Sequence, residues 1–365
     1  MHKYLSFRDF DWQLLGFVLI ICLLGVVQIY SATQGSHDFS GMYLKQIYWI
    51  LAGLVVMFIM SFVDYQLLVE NIHWAYIAGI LSLVAVFLFG HEAMHAKRWI
   101  KITQSIHFQP SEWMKLILIL LMARYFSSIN QRDITWSDIF KAGALVALPM
   151  IFVLKQPDLG TALTFLPILG MGLFLGGIKW KQAAIILLMG VIAVVPVWRW
   201  GLKPYQKERL VVFLHPENDS KGTGYQIQQS KIAVGAGGIT GKGVSKGSQT
   251  QGMFLPVTHT DFIFAAFSEE HGFVGDLTAL LLYFMVLMRL IQNAQTAPDR
   301  AGTMVVMGVV ALFAFHILVN VGMVVGFMPV TGIPLPLMSY GGSSILFMFL
   351  ALGIVMNIRM RRFVN

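Results

Sequence analysis

The chain reads as an all-α polytopic membrane protein of about ten transmembrane helices with one long extracytoplasmic loop, and three observations predict it. Only 12% of its 365 residues are charged, 57% are hydrophobic, and the mean hydropathy is +0.70; a soluble domain carries about a quarter charged residues. Ten apolar runs recur along it, and a membrane span uses roughly 20 residues. Between the seventh and eighth runs lies a basic, glycine-rich stretch, 201–260, of different composition. Residues 1–365 are therefore treated as one transmembrane domain rather than two or three soluble ones.

In order, the runs fall at Leu14–Tyr30, Leu44–Phe62, Ile72–Phe89, Trp113–Phe126, Ile139–Leu154, Leu159–Gly176, Ala183–Trp198, Phe262–Ile291, Met304–Phe327 and Ile345–Ile358. The segment before the first holds His2, Lys3 and Arg8. No A-x-A cleavage site follows, and the run is too long for a signal-peptide core, so it reads as an uncleaved span. The single cysteine, Cys22, lies inside it; an intrachain disulfide and a Cys-based zinc site are excluded, and a small packing role remains. Pro149, Pro167 and Pro196 interrupt later runs, which membrane helices tolerate because neighbours re-satisfy the freed backbone. The fourth run is short and the eighth is broken by SEEHG, Ser268 to Gly272. Neither is a simple lipid-facing rod. Gly302, Gly308 and Ala311, in and before the ninth run, are small residues that favour close helix packing.

Orientation follows from Lys and Arg in short loops. With the N-terminus cytoplasmic, Lys3, Arg8, Arg124, Arg132, Lys179, Lys181, Arg289, Arg300, Arg359, Arg361 and Arg362 lie inside, and an even number of spans puts both termini there. Two outer loops break the rule. One carries Lys97, Arg98 and Lys101; the long one carries Lys203, Lys207, Arg209, Lys221, Lys231, Lys242 and Lys246. Long loops translocate regardless of charge. A cationic concavity there suits an anionic ligand such as a diphosphate; contact with lipid headgroups is the plainer alternative.

Several strings carry chemistry. Gly235–Gly252 reads GAGGITGKGVSKGSQTQG. It can form an anion-binding nest or serve as plain flexible loop, but Gly241-Lys242 lacks the glycine and the hydroxyl residue that a Walker A loop requires. HEAMH, His91 to His95, matches the zinc-protease string H-E-x-x-H, yet it follows Gly90 at the end of a span and no third ligand accompanies it; it is read as a connection. Charges at membrane boundaries are better leads, being expensive in lipid. In FQPSEWMK, Pro110 suits a first helical turn, so Glu112 and Lys115 share one face at i,i+3. Asp158, after Pro157, serves either as a macrodipole partner at a helix N-terminus or as a site residue. Asp261 in HTDFIF serves either as a helix cap or as a general base at the outer surface beside the basic loop. PVTGIPLPLMSYGGSS, Pro329 to Ser344, cannot be regular helix and must be buried or line a cavity.

Together these strings resemble the SEDS proteins (shape, elongation, division and sporulation). The resemblance rests on YSAT at Tyr30, RWI at Arg98, FQPSE at Phe108, QPDLGT at Gln156, YQIQQSKIAVGAGGITGKG at Tyr225, HTDFIF at His259 and GIPLPLMSYGGSS at Gly332, in order over nearly the whole chain. Within the family it is similar to the elongation type, since Val330-Thr331 stands where division-type members usually show Thr-Lys. His107 stands where relatives often have Arg, and Val257-Thr258 replaces a more polar pair; the first removes a permanent cation.

The resemblance implies a peptidoglycan glycosyltransferase in the bacterial cytoplasmic (inner) membrane, polymerising lipid II into glycan strands during elongation and rod-shape maintenance. Its active site would face away from the cytoplasm. It implies a class B penicillin-binding protein (transpeptidase) as partner, with lipid II, the growing lipid-linked glycan and membrane lipid as ligands, and no nucleic acid. The partner's single transmembrane helix is expected against the eighth and ninth spans near Leu277–Ile291 and Met304–Val321, where Gly302, Gly308 and Ala311 favour close packing. Carried over by motif, Asp261 is the essential loop aspartate. Glu112, Lys115, Asp158, Trp99 and Gln109 are cavity residues, and Arg98, Lys231, Lys242 and Ser339 are expected at the diphosphate. No resident metal is expected; a divalent cation, Mg or Mn, is the one cofactor left open. The physical reading agrees: a sugar hydroxyl is a poor nucleophile that a carboxylate can deprotonate, and the diphosphate's growing charge calls for cations. The rivals are a flippase for the same lipid and, more remotely, a zinc protease built on HEAMH.

Overall fold

The computed structural model describes residues 9–34, 39, 41–93, 96–101, 107–129, 133–219, 222–255 and 257–362. Lys3, Arg8, Met94, His95, Arg132 and Lys221 lie outside the described residues.

The helices are α1 Trp12–Thr33, α2 Met42–Phe62, α3 Tyr65–Glu70, α4 Ile72–Phe89, α5 Pro110–Ser127, α6 Trp136–Lys155, α7 Leu159–Gly176, α8 Trp180–Pro196, α9 Pro204–Leu214, α10 Thr223–Gly237, α11 Ser248–Gln251, α12 Ile263–Gln295, α13 Arg300–Val324 and α14 Gly342–Met360. Among the described residues nine are long and apolar enough to cross a membrane. The short fourth run is α5, whose Glu112, Lys115 and Arg124 set it apart from those nine. Those charges are tolerated because α5 packs among α4, α7 and α13 rather than against lipid. At the other extreme, α8 buries only Gln182 and presents an apolar surface all round; such a helix is at home only in lipid.

The start of α1 and the end of α14 meet on one face. Asp11, the N-cap of α1, accepts from Leu14 N at 3.1 Å, and pairs with Arg289 at 2.7 Å and Arg359 at 3.1 Å. Arg362 pairs with Asp9 at 2.7 Å. Burial pushes the Asp11 carboxyl up, but hydrogen bonds from Arg289, Leu14 N and Asn293 and the charge of Arg359 outweigh it, holding it below the usual range.

The glycine-rich stretch is neither a nest nor a free loop. At SEEHG α12 breaks: Gly272 takes φ +65°, and a Cβ there would meet the Gly241 backbone nitrogen at 2.3 Å, so no side chain fits. Across this break Phe273 N donates to Gly238 O at 2.9 Å and Val274 N to Ile239 O at 3.1 Å. In return Lys242 N and Gly243 N donate to Glu269 O and Glu270 O at 3.0 and 2.9 Å. Glu269 then accepts from Lys242 Nζ and Gln249 N at 2.9 Å, and from Thr250 N at 3.0 Å. Glu270 accepts from Ser31 of the YSAT string and from Gln28. Three unrelated-looking strings thus form one buried polar knot that anchors the outer loop to α1 and α12.

Gly308 does not face a partner. A Cβ there would meet Ile119 of α5 at 2.8 Å, and Gly302 packs toward Ile358. These small residues serve packing inside the bundle, and the expectation of a partner seam on them gives way. The exposed stripe on α12 is instead Phe273, Leu277, Leu281 and Phe284.

The described part of HEAMH, His91–Ala93, is not helical. His91–Ala93 is strand β1, paired antiparallel with β2, Ala96–Lys101, which pairs in turn with β3, His107–Phe108. The zinc motif needs two histidines on one helical face, and His91 lies on a strand, whose end gives no such face; His95 lies outside the described residues. Replacing His91 and His95 together by Ala is expected to leave turnover within a few-fold of the parent; loss restored by added zinc would contradict this.

Candidate active site

The backbone turns through 257–262, and α12 begins at Ile263 with Phe262 at its N-cap and no side-chain cap. Asp261 stands one residue too early to cap the helix, so the capping alternative is removed.

The irregular segment 329–341 wraps this turn. Gly332, at φ +73°, lies so close that a Cβ there would sit 3.4 Å from Asp261 Oδ2. Asn320 of α13 donates to Asp261 O at 2.9 Å and to Ile333 O at 2.8 Å, pinning both segments at once. Ser339 Oγ donates to Thr260 O at 2.7 Å and accepts from Leu335 N at 2.9 Å, and Tyr340 N donates to His259 O at 2.9 Å. Leu337 and Val257 hold left-handed backbone, φ +66° and +55°, which costs about 1–3 kcal/mol each and persists only where neighbours impose it.

Three charged side chains act on the half-buried Asp261. Burial pushes its carboxyl up; a hydrogen bond from Thr260 and the charges of Arg209 and Arg98 oppose this, and the like charge of Asp158 adds to it. The net result lies above the ordinary aspartate range. Arg209 comes from α9 and donates to Val330 O at 3.3 Å. Arg98 comes from β2, donates to Gln156 O at 3.3 Å and to Pro157 O, and lies 3.9 Å from Asp158. Guanidinium groups have five N–H donors, so both retain capacity for an anion. Trp99 follows Arg98 on β2, half-buried.

Asp158 is the N-cap of α7, accepting from Thr161 N at 3.2 Å and Thr161 Oγ1 at 2.9 Å. Pro157 precedes this cap instead of starting the helix. The same carboxylate accepts from Gln109 at 3.3 Å. Arg98, Gln109 and Asp158 therefore assemble beside Asp261. One layer deeper, Glu112 and Lys115 pair at 2.8 Å on α5. Lys115 is fully buried, 3.5 Å from His316 Nε2 and 4.7 Å from the Phe347 ring centroid.

Of the residues expected at a diphosphate, Ser339 and Lys242 are engaged elsewhere, and Lys231 lies on the exposed side of α10. The Ser339 hydroxyl is buried and committed to backbone partners, so it positions the loop. Lys242 is paired with Glu269. Lys231, on the exposed side of α10, packs its stem against Gly326 at the end of α13. None of the three is among the charges acting on Asp261. Arg209, His316 and Asn320 belong to the site although no motif marks them. The two on α13 are detectable all the same: they are polar residues at i,i+4 within an apolar span, which marks function or burial. Arg209 is hidden among other loop charges.

A family model described as cell cycle protein, FTSW_RODA_SPOVE, matches residues 11–363. The chain belongs to this family. Among its relatives, the peptidoglycan glycosyltransferase MrdB of Escherichia coli (strain K12) is 37% identical over 357 residues, covering 96% of this chain and 94% of that protein. The peptidoglycan glycosyltransferase RodA of Treponema pallidum (strain Nichols) is 33% identical, covering 97% and 98%. A chain from a solved structure on the coordination of polymerization and crosslinking by a peptidoglycan synthase complex superposes with a TM-score of 0.83 at 31% identity, covering 98% and 99%. Fold and family therefore agree over nearly the whole chain.

The electrostatics give a test. Asp261 can accept a proton only when ionised, so a reaction that uses it as base is expected to slow on the acid side at a pH above the ordinary aspartate range. Arg209→Gln removes a cation that favours the carboxylate, which raises its pKa further. The acid limb of kcat/KM should then move to higher pH; a limb that stays in place would separate Arg209 from Asp261.

Proposed function

We propose that this protein is a peptidoglycan glycosyltransferase that polymerises lipid II into glycan strands during elongation. The observation that carries the reading is Asp261: a half-buried carboxylate, not used as a helix cap, flanked by Arg98 of β2 and Arg209 of α9. The acceptor sugar hydroxyl attacks the anomeric carbon of the donor as its proton passes to Asp261. The bond from that carbon to the diphosphate breaks, and the leaving oxygen's charge falls to the guanidinium groups. Direct displacement inverts an α-linked donor to a β-linked product.

Among the described residues no three His, Cys, Asp or Glu side chains cluster to hold a metal. A magnesium or manganese ion bound with the diphosphate would have Asp261 as the nearby carboxylate and would help neutralise the leaving group's charge. EDTA is expected to slow strand formation and added magnesium to restore it; an unchanged rate sinks that part of the reading.

The partner is a class B penicillin-binding protein. Support comes from the likeness to a chain of a peptidoglycan synthase complex that coordinates polymerization with crosslinking. Two surfaces suit such a partner: the α12 stripe for a single transmembrane helix, and the exposed apolar Ile239, Met253 and Phe254 of the outer loop for its extracytoplasmic part. The membrane is the cytoplasmic one, with both termini inside. Purified complex given labelled lipid II should form strands that a muramidase digests; lipid II left intact under every condition would refute the function.

A further inference from the structure

One group of buried side chains has no part in that chemistry. His316 lies on α13 one turn below Asn320, on the same face. Its Nδ1 is 3.2 Å from Pro334 O, and its Nε2 is 3.5 Å from Lys115 Nζ. A carbonyl only accepts and an ammonium only donates. Both neighbours therefore select the same neutral ring, with the proton on Nδ1 and the lone pair on Nε2 facing Lys115. Asn320 holds Ile333 O, and His316 holds the next carbonyl, Pro334 O. Two side chains one helical turn apart thus clamp consecutive carbonyls of the strained segment that brings Gly332 against Asp261.

Lys115 completes the clamp. Its ammonium meets Glu112 at 2.8 Å, the lone pair of His316 and the face of Phe347, so its donors are accounted for inside the protein. This lysine is fixed by the protein and in turn fixes the imidazole. The polar column runs Glu112, Lys115, His316, Pro334, then through Ile333 and Asn320 to the Asp261 backbone.

We propose that His316 is a positioning residue for the transfer reaction: a neutral imidazole that ties the intramembrane Lys115–Glu112 pair to the backbone beside Asp261. It rests on the polymerase reading and touches no substrate atom. A misplaced segment beside the base lowers turnover without weakening lipid II binding. Gln is the informative substitute, since its amide can donate to Pro334 O and accept from Lys115; Leu can do neither.

The experiment uses the full complex with its penicillin-binding partner and labelled lipid II, scored per mole of co-purified partner. His316→Leu should lower kcat by about tenfold or more with KM within about threefold, and His316→Gln should stay within about threefold of parental kcat. Parental turnover in His316→Leu overturns the proposal, as does a Gln variant as impaired as the Leu variant. Should the Leu variant fail to fold, nitrogen-15 histidine spectra of the parental complex decide: a ring protonated at Nδ1 alone is expected, and one protonated at Nε2 overturns it. A parental complex that makes no strands fails the polymerase reading instead, and the spectra still judge the tautomer.

Discussion

Asp261→Asn is expected to lower strand formation by about 10²–10⁴-fold, the range for loss of a positioned general base. Asn is nearly isosteric and keeps the backbone carbonyl that Asn320 holds at 2.9 Å. The amide, however, cannot accept the hydroxyl proton. No cap is lost, because Phe262 occupies the N-cap position of α12. Folding, membrane insertion and partner co-purification should therefore persist while turnover collapses. The measurement is strand yield per mole of co-purified complex. A variant at near-parental rate would take Asp261 out of the chemistry and strengthen the transporter reading.

Lys115→Met is expected to damage both stability and turnover, whereas Lys246→Ala is expected to change either by little. Lys115 is fully buried in its ion pair, and Lys246 is exposed on the outer loop. Breaking a buried pair from one side leaves the other charge uncompensated and costs about 3–5 kcal/mol. Glu112 is poorly placed to absorb that loss, since its Oε2 already lacks a hydrogen-bond partner among the described residues. Adding Glu112→Gln to Lys115→Met removes the stranded charge and should recover much of the stability. Thermal unfolding of the three purified variants checks the order. Equal tolerance of Lys115→Met and Lys246→Ala would mean that Lys115 reaches water and is not enclosed.

Much of this was legible in the sequence, for physical reasons that differ by residue. Spans show because lipid demands long apolar runs, and the exceptions show for the same reason: Glu112, Lys115 and the SEEHG string are too costly for lipid, and each proved buried in protein or at a helix break. The irregular PVTGIPLPLMSYGGSS segment was visible from its prolines and glycines, but not what it wraps. Asp261 and Asp158 each offered two readings from spacing; the position of the cap residue removes one for Asp261, whereas Asp158 both caps α7 and acts on Asp261. What stayed hidden depends on contacts between distant strings. The glycine-rich stretch reads as an anion nest or a plain loop, but the N–H groups of Lys242 and Gly243 are bound to the carbonyls of Glu269 and Glu270. Gly308 looked like a seam for a partner, and its neighbour is Ile119 of the same chain. No local pattern reports which face of a helix meets which neighbour.

The most direct test of the polymerase reading separates making strands from moving lipid. The complex is reconstituted in vesicles with labelled lipid II confined to the leaflet that faces the long outer loop. Strands formed there, with no label appearing in the opposite leaflet, are the predicted result. Label that crosses the bilayer while lipid II remains unpolymerised would contradict the account and identify the protein as a transporter of the same lipid.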